Sequence, residues 1–262
     1  MLQFGKIAVI GAGNVAYTLC NVMKDKGINP YCVFVRNQNK AVQVGEELGV
    51  EAVSDYKKVL ESDFIIISVN DDSISDVAAQ LIDYKGIVVH TSGTKPSTVL
   101  NKIARFGVFY PLQTMSKNRK IRFDDIPLLI YANTEDDLAT LKEFAELFSN
   151  NVIVCDDEQR KAIHLSAVFV SNFTNVMLGI GDKLLKENGL PLTIIKPLVM
   201  EMMEKSFETS PQKALTGPAR RGDFATIGEH EKMLSYKPDE LAIYMILTDY
   251  ITEKYNKADE EL

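Results

Sequence analysis

Gly11-Ala12-Gly13-Asn14-Val15-Ala16 follows directly on the apolar run Ile7-Ala8-Val9-Ile10 and leads into a stretch with helical periodicity. Residues of these types at this spacing suit the holding of a phosphate. Gly11 permits a tight strand-to-helix turn, Gly13 lets the backbone approach a pyrophosphate, and Ala16 allows the helix to pack closely on the strand. The backbone N–H groups of Asn14 and Val15, at the helix N-terminus, would face the anion. A second apolar run, Val33-Phe34-Val35, ends in Arg36. About 20 residues beyond the glycine turn an NAD-binding chain places an acidic residue for the ribose hydroxyl, whereas an arginine matches a 2′-phosphate. Arg36, helped by Asn37, therefore points to NADP(H). The alternative for Arg36 is a solvated arginine at a strand end.

Other polar residues close the following apolar runs. Phe64-Ile65-Ile66-Ile67 reads as a buried central strand ending in Ser68-Val69-Asn70-Asp71. The carboxyl ends of parallel strands line the ligand crevice, so Ser68, Val69 and Asn70 are expected beside the ribose and nicotinamide. A plain loop with Asp72 or Ser73 as helix cap is the alternative. His90-Thr91-Ser92-Gly93 ends the next strand on the same rim. Thr91 is expected near the cofactor, and His90 and Ser92 near the substrate, unless the four residues simply cap a helix starting at Pro96. Tyr110-Pro111 closes the strand after that and could wall the pocket.

A third set lies further along, where a mostly apolar helical pattern carries His164, Ser171, Asn172 and Asn175. At about 100° per residue these four fall within a wedge of roughly 100°, on a helix whose apolar sides predict deep burial. The wedge is expected to hold the substrate: His164 as proton donor, Asn172 and Asn175 as orienting groups, Ser171 as a contact. His164 and Asn172 are about 12 Å apart along such a helix, so they do not both touch one small carbonyl. A polar ladder between helices or across a dimer interface is the alternative. Arg221, in the turn Thr216-Gly217-Pro218-Ala219-Arg220-Arg221-Gly222-Asp223, could bind an anionic group or pair with Asp223, itself a predicted helix cap.

The elements that must position these residues fall into two sets. Apolar runs at 6–10, 31–35, 64–69, 86–90, 107–110, 128–131 and 152–154 predict strands. Between them, 15–26, 40–48, 74–82, 96–104 and 135–148 predict helices. From residue 158 only helical periodicity follows, at 158–187, 191–207, 223–234 and 238–255. The expected fold is α/β: a Rossmann doubly wound, mostly parallel sheet over 1–155, followed by an all-α domain over 156–262 that binds substrate and dimerises. The polar residues 257–262 are expected to fray.

Composition sets limits on the partners. The 262 residues are 46% hydrophobic and 25% charged, with a net charge of −7, which disfavours a nucleic-acid partner or a polybasic membrane contact. Cys20, Cys32 and Cys155 lack paired spacing, so neither a disulfide framework nor a metal site is expected, and the cytoplasm is the expected compartment. No apolar run approaches the ~18 residues of a membrane span.

An N-terminal Rossmann domain followed by helices resembles the 6-phosphogluconate dehydrogenase-like superfamily, which includes the pyrroline-5-carboxylate reductases and β-hydroxyacid dehydrogenases. Four motifs make a closer resemblance. His90-Thr91-Ser92-Gly93, Phe109-Tyr110-Pro111-Leu112-Gln113-Thr114, His164 through Phe173-Thr174-Asn175, and Thr216 through Asp223 look like those of a bacterial family regarded as NADP oxidoreductases. The C-terminal helical domain of that family has no assigned function. The resemblance spans essentially the whole chain and implies the fold, an NADP-type cofactor and a homodimer built through the helical domains. By analogy with the reductases, whose helical domain receives the substrate carboxylate at a small-residue turn, it implies an acidic substrate. The lysine-based pattern of the β-hydroxyacid dehydrogenases is missing: Leu165 stands four residues after Lys161, and Val168 four before Asn172. The expectation is an NADP(H)-dependent oxidoreductase transferring hydride to a C=O or C=N bond of a small, anionic metabolite. A non-catalytic NADP(H)-binding sensor or scaffold is the alternative, which the missing lysine favours.

Overall fold

Alternation along the strands explains the layering of the N-terminal unit. In β1 (Ile7–Ile10), Ile7 and Val9 join one hydrophobic cluster while Ala8 and Ile10 join a second, so the strand is covered on both faces. The computed structural model describes residues 4–117 and 119–256, in two compact units divided between Val168 and Phe169.

The first unit runs β1, α1 (Asn14–Asp25), β2 (Cys32–Phe34), α2 (Gln38–Leu48), β3 (Ala52–Val53), α3 (Tyr56–Val59), β4 (Phe64–Ile67), α4 (Ile74–Ala79), β5 (Ile87–His90), β6 (Phe106–Pro111), β7 (Leu128–Ala132), α5 (Glu135–Glu146), β8 (Val152–Val154) and α6 (Asp157–Ala167). Its sheet has the order β3-β2-β1-β4-β5-β6-β7-β8, parallel except where β7 runs antiparallel to β6. Leu19 and Met23 of α1, Val44 of α2, and Leu141 and Phe144 of α5 cover one face. Val59 of α3, Ile74 and Val77 of α4, and Leu100 cover the other. This is the doubly wound α/β arrangement that the sequence predicts, and its topological switch lies where β1 has β2 on one side and β4 on the other.

Several expected elements differ. The strand β3 and the short α3 have too few residues to produce a pattern. The helix expected over 96–104 is a 3₁₀ turn at Ser97–Leu100. Asp157 accepts both the amide and the hydroxyl of Ser97, which fixes the start of that turn from outside it. All three cysteines are free and buried, and burial pushes the Cys20 thiol up to about 12.

The second unit contains, among its described residues, only helices and turns. A π-helical segment, Val168–Phe173, precedes α7 (Thr174–Glu187). A 3₁₀ turn at Leu192–Ile195 leads into α8 (Lys196–Glu208), followed by α9 (Pro211–Ala214), α10 (Pro218–Arg221), α11 (Phe224–Leu234) and α12 (Pro238–Ile251). The division at Val168–Phe169 falls inside the helical stretch that the sequence places entirely after residue 155. The expected burial of that stretch is corrected: no residue of the π segment or of α7 is buried in the single chain, and Phe169, Val170, Phe173 and Val176 are exposed. The residues Asp157–Glu187 are helical throughout, and by length and composition alone they match a membrane span, contrary to expectation.

Candidate functional site

Gly11 cannot be another residue. Its φ is +130°, and a Cβ built on it would stand 2.1 Å from the carbonyl oxygen of Ser68. Bonds from Gly11 N to Phe34 O (3.0 Å) and from Ser68 N to Ile10 O (2.8 Å) draw the ends of β1, β2 and β4 together. Gly13 is different: a Cβ there meets nothing within 4 Å, so it faces open space. It is also the cap residue of α1, which has no side-chain cap, whereas α2, α5 and α6 are capped by Asn37, Thr134 and Asp156. The first-turn N–H groups at Asn14 and Val15 thus lie at an uncapped helix end beside an open approach, as a pyrophosphate requires.

A recess of about 520 Å³ opens at this point, lined by Gly11, Gly13, Arg36, Asn37, Ser68, Val69 and Asn70 among others. Seven residues expected at the cofactor from sequence thus share one wall-to-wall site. Two more residues join them that the sequence reasoning missed, Lys40 and Tyr56. Lys40 places a second cation in the same recess as Arg36, from the first turn of α2. Its position four residues after Arg36 was the available signal. Tyr56 packs on Phe34 with ring centroids 4.3 Å apart, giving the recess an aromatic side. Asn37 is tied up in part, since its side-chain oxygen accepts the Lys40 amide at 3.0 Å. Ser73 stands at the N-cap position of α4 without a side-chain cap bond, while Asp71 accepts from Ser92 (2.8 Å) and Thr94 (2.6 Å).

The residues after β5 turn inward more than their polarity suggests. Thr91 Oγ1 donates to Ser68 Oγ at 3.2 Å, which knits the ends of β4 and β5. Ser92 is buried, accepting the amides of Thr94 and Lys95 while donating to Asp71. His90 has no exposed surface, and its Nδ1 accepts the Ser92 amide at 3.1 Å. Burial and then the nearby Arg160 charge depress its pKa to about 4, so it is neutral at pH 7. Within the chain, His90 and Ser92 therefore build the turn, Ser92 bonded on both sides and His90 enclosed with its Nε2 unpartnered.

His164 does emerge beside this turn. Its Nδ1 lies 3.0 Å from the Tyr110 hydroxyl, at the carboxyl end of β6. A Cβ on Gly93 would lie 2.5 Å from that nitrogen and 2.8 Å from Tyr110 Cζ, so the bare backbone of the turn rests on the pair. What holds α6 there is Arg160, fully buried, which donates to the Lys95 carbonyl (2.6 Å) and to Asp157 (2.8 Å). In sequence, Arg160 sits in the run Asp156-Asp157-Glu158-Gln159-Arg160-Lys161, which looks like a solvated first turn, and only its spacing from Asp157 and His164 hints otherwise.

The remaining candidates belong to the helical unit. Ser171 and Asn172 lie in the π segment and Asn175 opens α7; both asparagines are exposed. The i→i+5 pattern of Val168–Phe173 widens the helical turn there, so the spacing of Ser171 and Asn172 is not that of an even α-helix. Arg221 ends the short helix α10 and is exposed, while Arg220 donates to the Tyr255 carbonyl at 2.6 Å. Asp223 caps α11 by accepting the Thr226 amide, as its sequence position predicts.

Comparison with known proteins gives two family matches. Residues 6–92 match a family described as NADP oxidoreductase coenzyme F420-dependent, and residues 126–251 match a domain of unknown function, DUF2520. A crystal structure from Bacteroides fragilis described as "putative NADP oxidoreductase BF3122" is 35% identical, with a TM-score of 0.88, over 97% of this chain and 100% of that one. A pyrroline-5-carboxylate reductase from Coxiella burnetii shares the fold at 17% identity and a TM-score of 0.58, over 95% of this chain and 99% of its own. Among curated proteins, a glutamyl-tRNA reductase from Sulfolobus acidocaldarius is 32% identical over 73 residues. That match takes in 28% of this chain and only 18% of the relative.

Proposed function

We propose that this chain, which belongs to the family joining an NADP oxidoreductase coenzyme F420-dependent domain to a DUF2520 domain, is an NADPH-dependent reductase of a C=O or C=N bond in a small, anionic metabolite. Membership makes it an NAD(P)-dependent oxidoreductase; the choice of the phosphorylated cofactor and of the bond reduced is our reading. The observation that carries it is the recess after β1, where an uncapped helix end at Gly13 and the cations of Arg36 and Lys40 share one cavity. The N–H groups at Asn14 and Val15 would take the pyrophosphate, and Arg36 with Lys40 the 2′-phosphate. Ser68, Val69, Asn70 and Thr91 would flank the ribose and nicotinamide. Bound there in reduced form, the cofactor supplies the hydride.

His164 would give the proton, since it is a partly exposed imidazole held beside Tyr110 at the rim. Asn172, Asn175 and Arg221 are the polar groups of the helical unit assigned to orienting the metabolite and holding its anionic group.

We assign the exposed apolar faces of the helical unit to a second copy of the chain. Its buried apolar residues among those described are Ala214, Ala219, Ile227 and Leu234, too few for a core, while Phe207 is 92% exposed and Val170 68%. The test of the enzymatic reading is NADPH consumption by the purified protein across a panel of small oxo and imino acids. Turnover with at least one, strongly reduced in His164→Ala while NADPH binding persists, is expected. Tight NADPH binding without turnover on any of them would instead indicate a sensor.

A further inference from the structure

We infer that Tyr110 is a positioning residue that acts through His164, holding the imidazole by Nδ1 so that Nε2 is the nitrogen that gives up the proton. This rests on the reading of His164 as the proton donor, and it names a residue that this reading leaves as pocket wall.

The two ring nitrogens of His164 have different surroundings. Nδ1 faces the Tyr110 hydroxyl at 3.0 Å, with the Gly93 backbone closing the same side so tightly that a methyl group would overlap the ring. Nε2 makes no hydrogen bond to any of the described residues. Nε2 is therefore the nitrogen left for a substrate, Nδ1 being taken up by Tyr110 and Gly93.

Chemistry decides which way the proton between the two side chains must point. If Tyr110 donated to Nδ1, the neutral ring would carry its proton on Nε2, and releasing it would leave an imidazolate, out of reach at neutral pH. If Nδ1–H donates to the tyrosine oxygen, the ring cycles between imidazolium and neutral imidazole at Nε2 alone. As hydride adds to the substrate carbon, the Nε2–H bond breaks, its electron pair stays on nitrogen, and the proton joins the substrate oxygen or nitrogen. Water then returns a proton to Nε2, and Nδ1–H remains on Tyr110 throughout.

Tyr110 is suited to accept. Burial and then the Asp71 carboxylate push its hydroxyl pKa up, with Arg160 offsetting part of the rise, so it keeps its proton at neutral pH. Asp71, in the loop after β4, and Arg160, in α6, are the charges that bear on the tyrosine. The tyrosine takes the part that a carboxylate plays behind other catalytic histidines, without adding a charge.

The test uses the full chain labelled with ¹⁵N in its three histidines, assigned through His90→Asn and His230→Gln. Above its pKa the His164 ring is expected as the Nδ1–H form, and in Tyr110→Phe, which keeps the aromatic ring, as a mixture of the two neutral forms. The imidazolium pKa is expected to fall by about one unit, because the charged ring loses its acceptor. Turnover should then fall off at a pH lower by the same amount, roughly tenfold down near neutrality, with KM unchanged. An Nε2–H form in the wild type, or a His164 signal unmoved by Tyr110→Phe, overturns the inference. Neither result depends on His164→Ala turnover, which tests the premise separately.

Discussion

The Arg160 guanidinium, without any exposed surface, donates to the backbone carbonyl of Lys95 at 2.6 Å and so ties α6 to the turn that follows β5. His164 comes one helical turn later, which makes this buried bond the reason the histidine stands at Gly93. Replacing Arg160 by Met leaves Asp157 without its cation and is expected to cost about 3 kcal/mol of stability, the scale for breaking a buried ion pair. Removing the positive charge should also raise the pKa of His90 above its value of about 4. Denaturant unfolding and NMR titration of the variant read the two effects; an unchanged midpoint would contradict the anchoring role.

His90 itself predicts how stability responds to acid. Its pKa falls from 6.5 to about 4 on folding, so between those values the unfolded chain binds the extra proton. The stability due to its neutral form is complete above pH 6.5 and is lost as the pH falls toward 4, by up to about 3 kcal/mol. In His90→Asn, which keeps an acceptor for the Ser92 amide, the drop across that window should be smaller than in the wild type. Parallel curves for the two proteins would contradict it.

Two glycines in one turn should respond in opposite ways. Gly11→Ala puts a methyl group 2.1 Å from the Ser68 oxygen on a backbone with φ of +130°, and should lose more than about 2 kcal/mol. Gly13 has φ of −84° and open space around its Cα, so Gly13→Val should fold within about 0.5 kcal/mol of the wild type. It should nevertheless lose most of its dinucleotide affinity. Equal effects on Tm would remove the distinction between a glycine needed by the fold and one needed by a ligand.

The helical unit predicts self-association. Light scattering on the purified protein should give a mass near twice the 29.3 kDa of the chain. Replacing Val170 and Val176, both exposed in the single chain, with glutamate should shift it toward one. A wild-type mass of one chain at micromolar concentration would contradict this.

Much of the α/β unit was legible because its physics is local. Buried parallel strands such as Phe64–Ile67 are continuous apolar runs, and the glycine turn is written in consecutive residues. What was hidden depends on partners distant in sequence. The 3₁₀ turn at Ser97–Leu100 is started by Asp157, sixty residues on. Buried Arg160 reads as solvated, and His90 and Ser92 read as open to ligand, because charge and polarity alone do not reveal a bond to a backbone across the fold. The π segment at Val168–Phe173 carries no compositional mark, so an even helical count does not reveal it. Lys40 was legible from its spacing to Arg36 and was overlooked.

The recess after β1, with Arg36 and Lys40 together in it, carries the central claim, and calorimetric titration with NADPH and NADH tests it most directly. The wild type should bind NADPH roughly 10–100-fold more tightly than NADH, the worth of one or two charge-assisted bonds to the extra phosphate. Arg36→Asp should abolish or reverse that ratio. Equal affinities in the wild type, a ratio unchanged by the substitution, or no binding of either dinucleotide would contradict it.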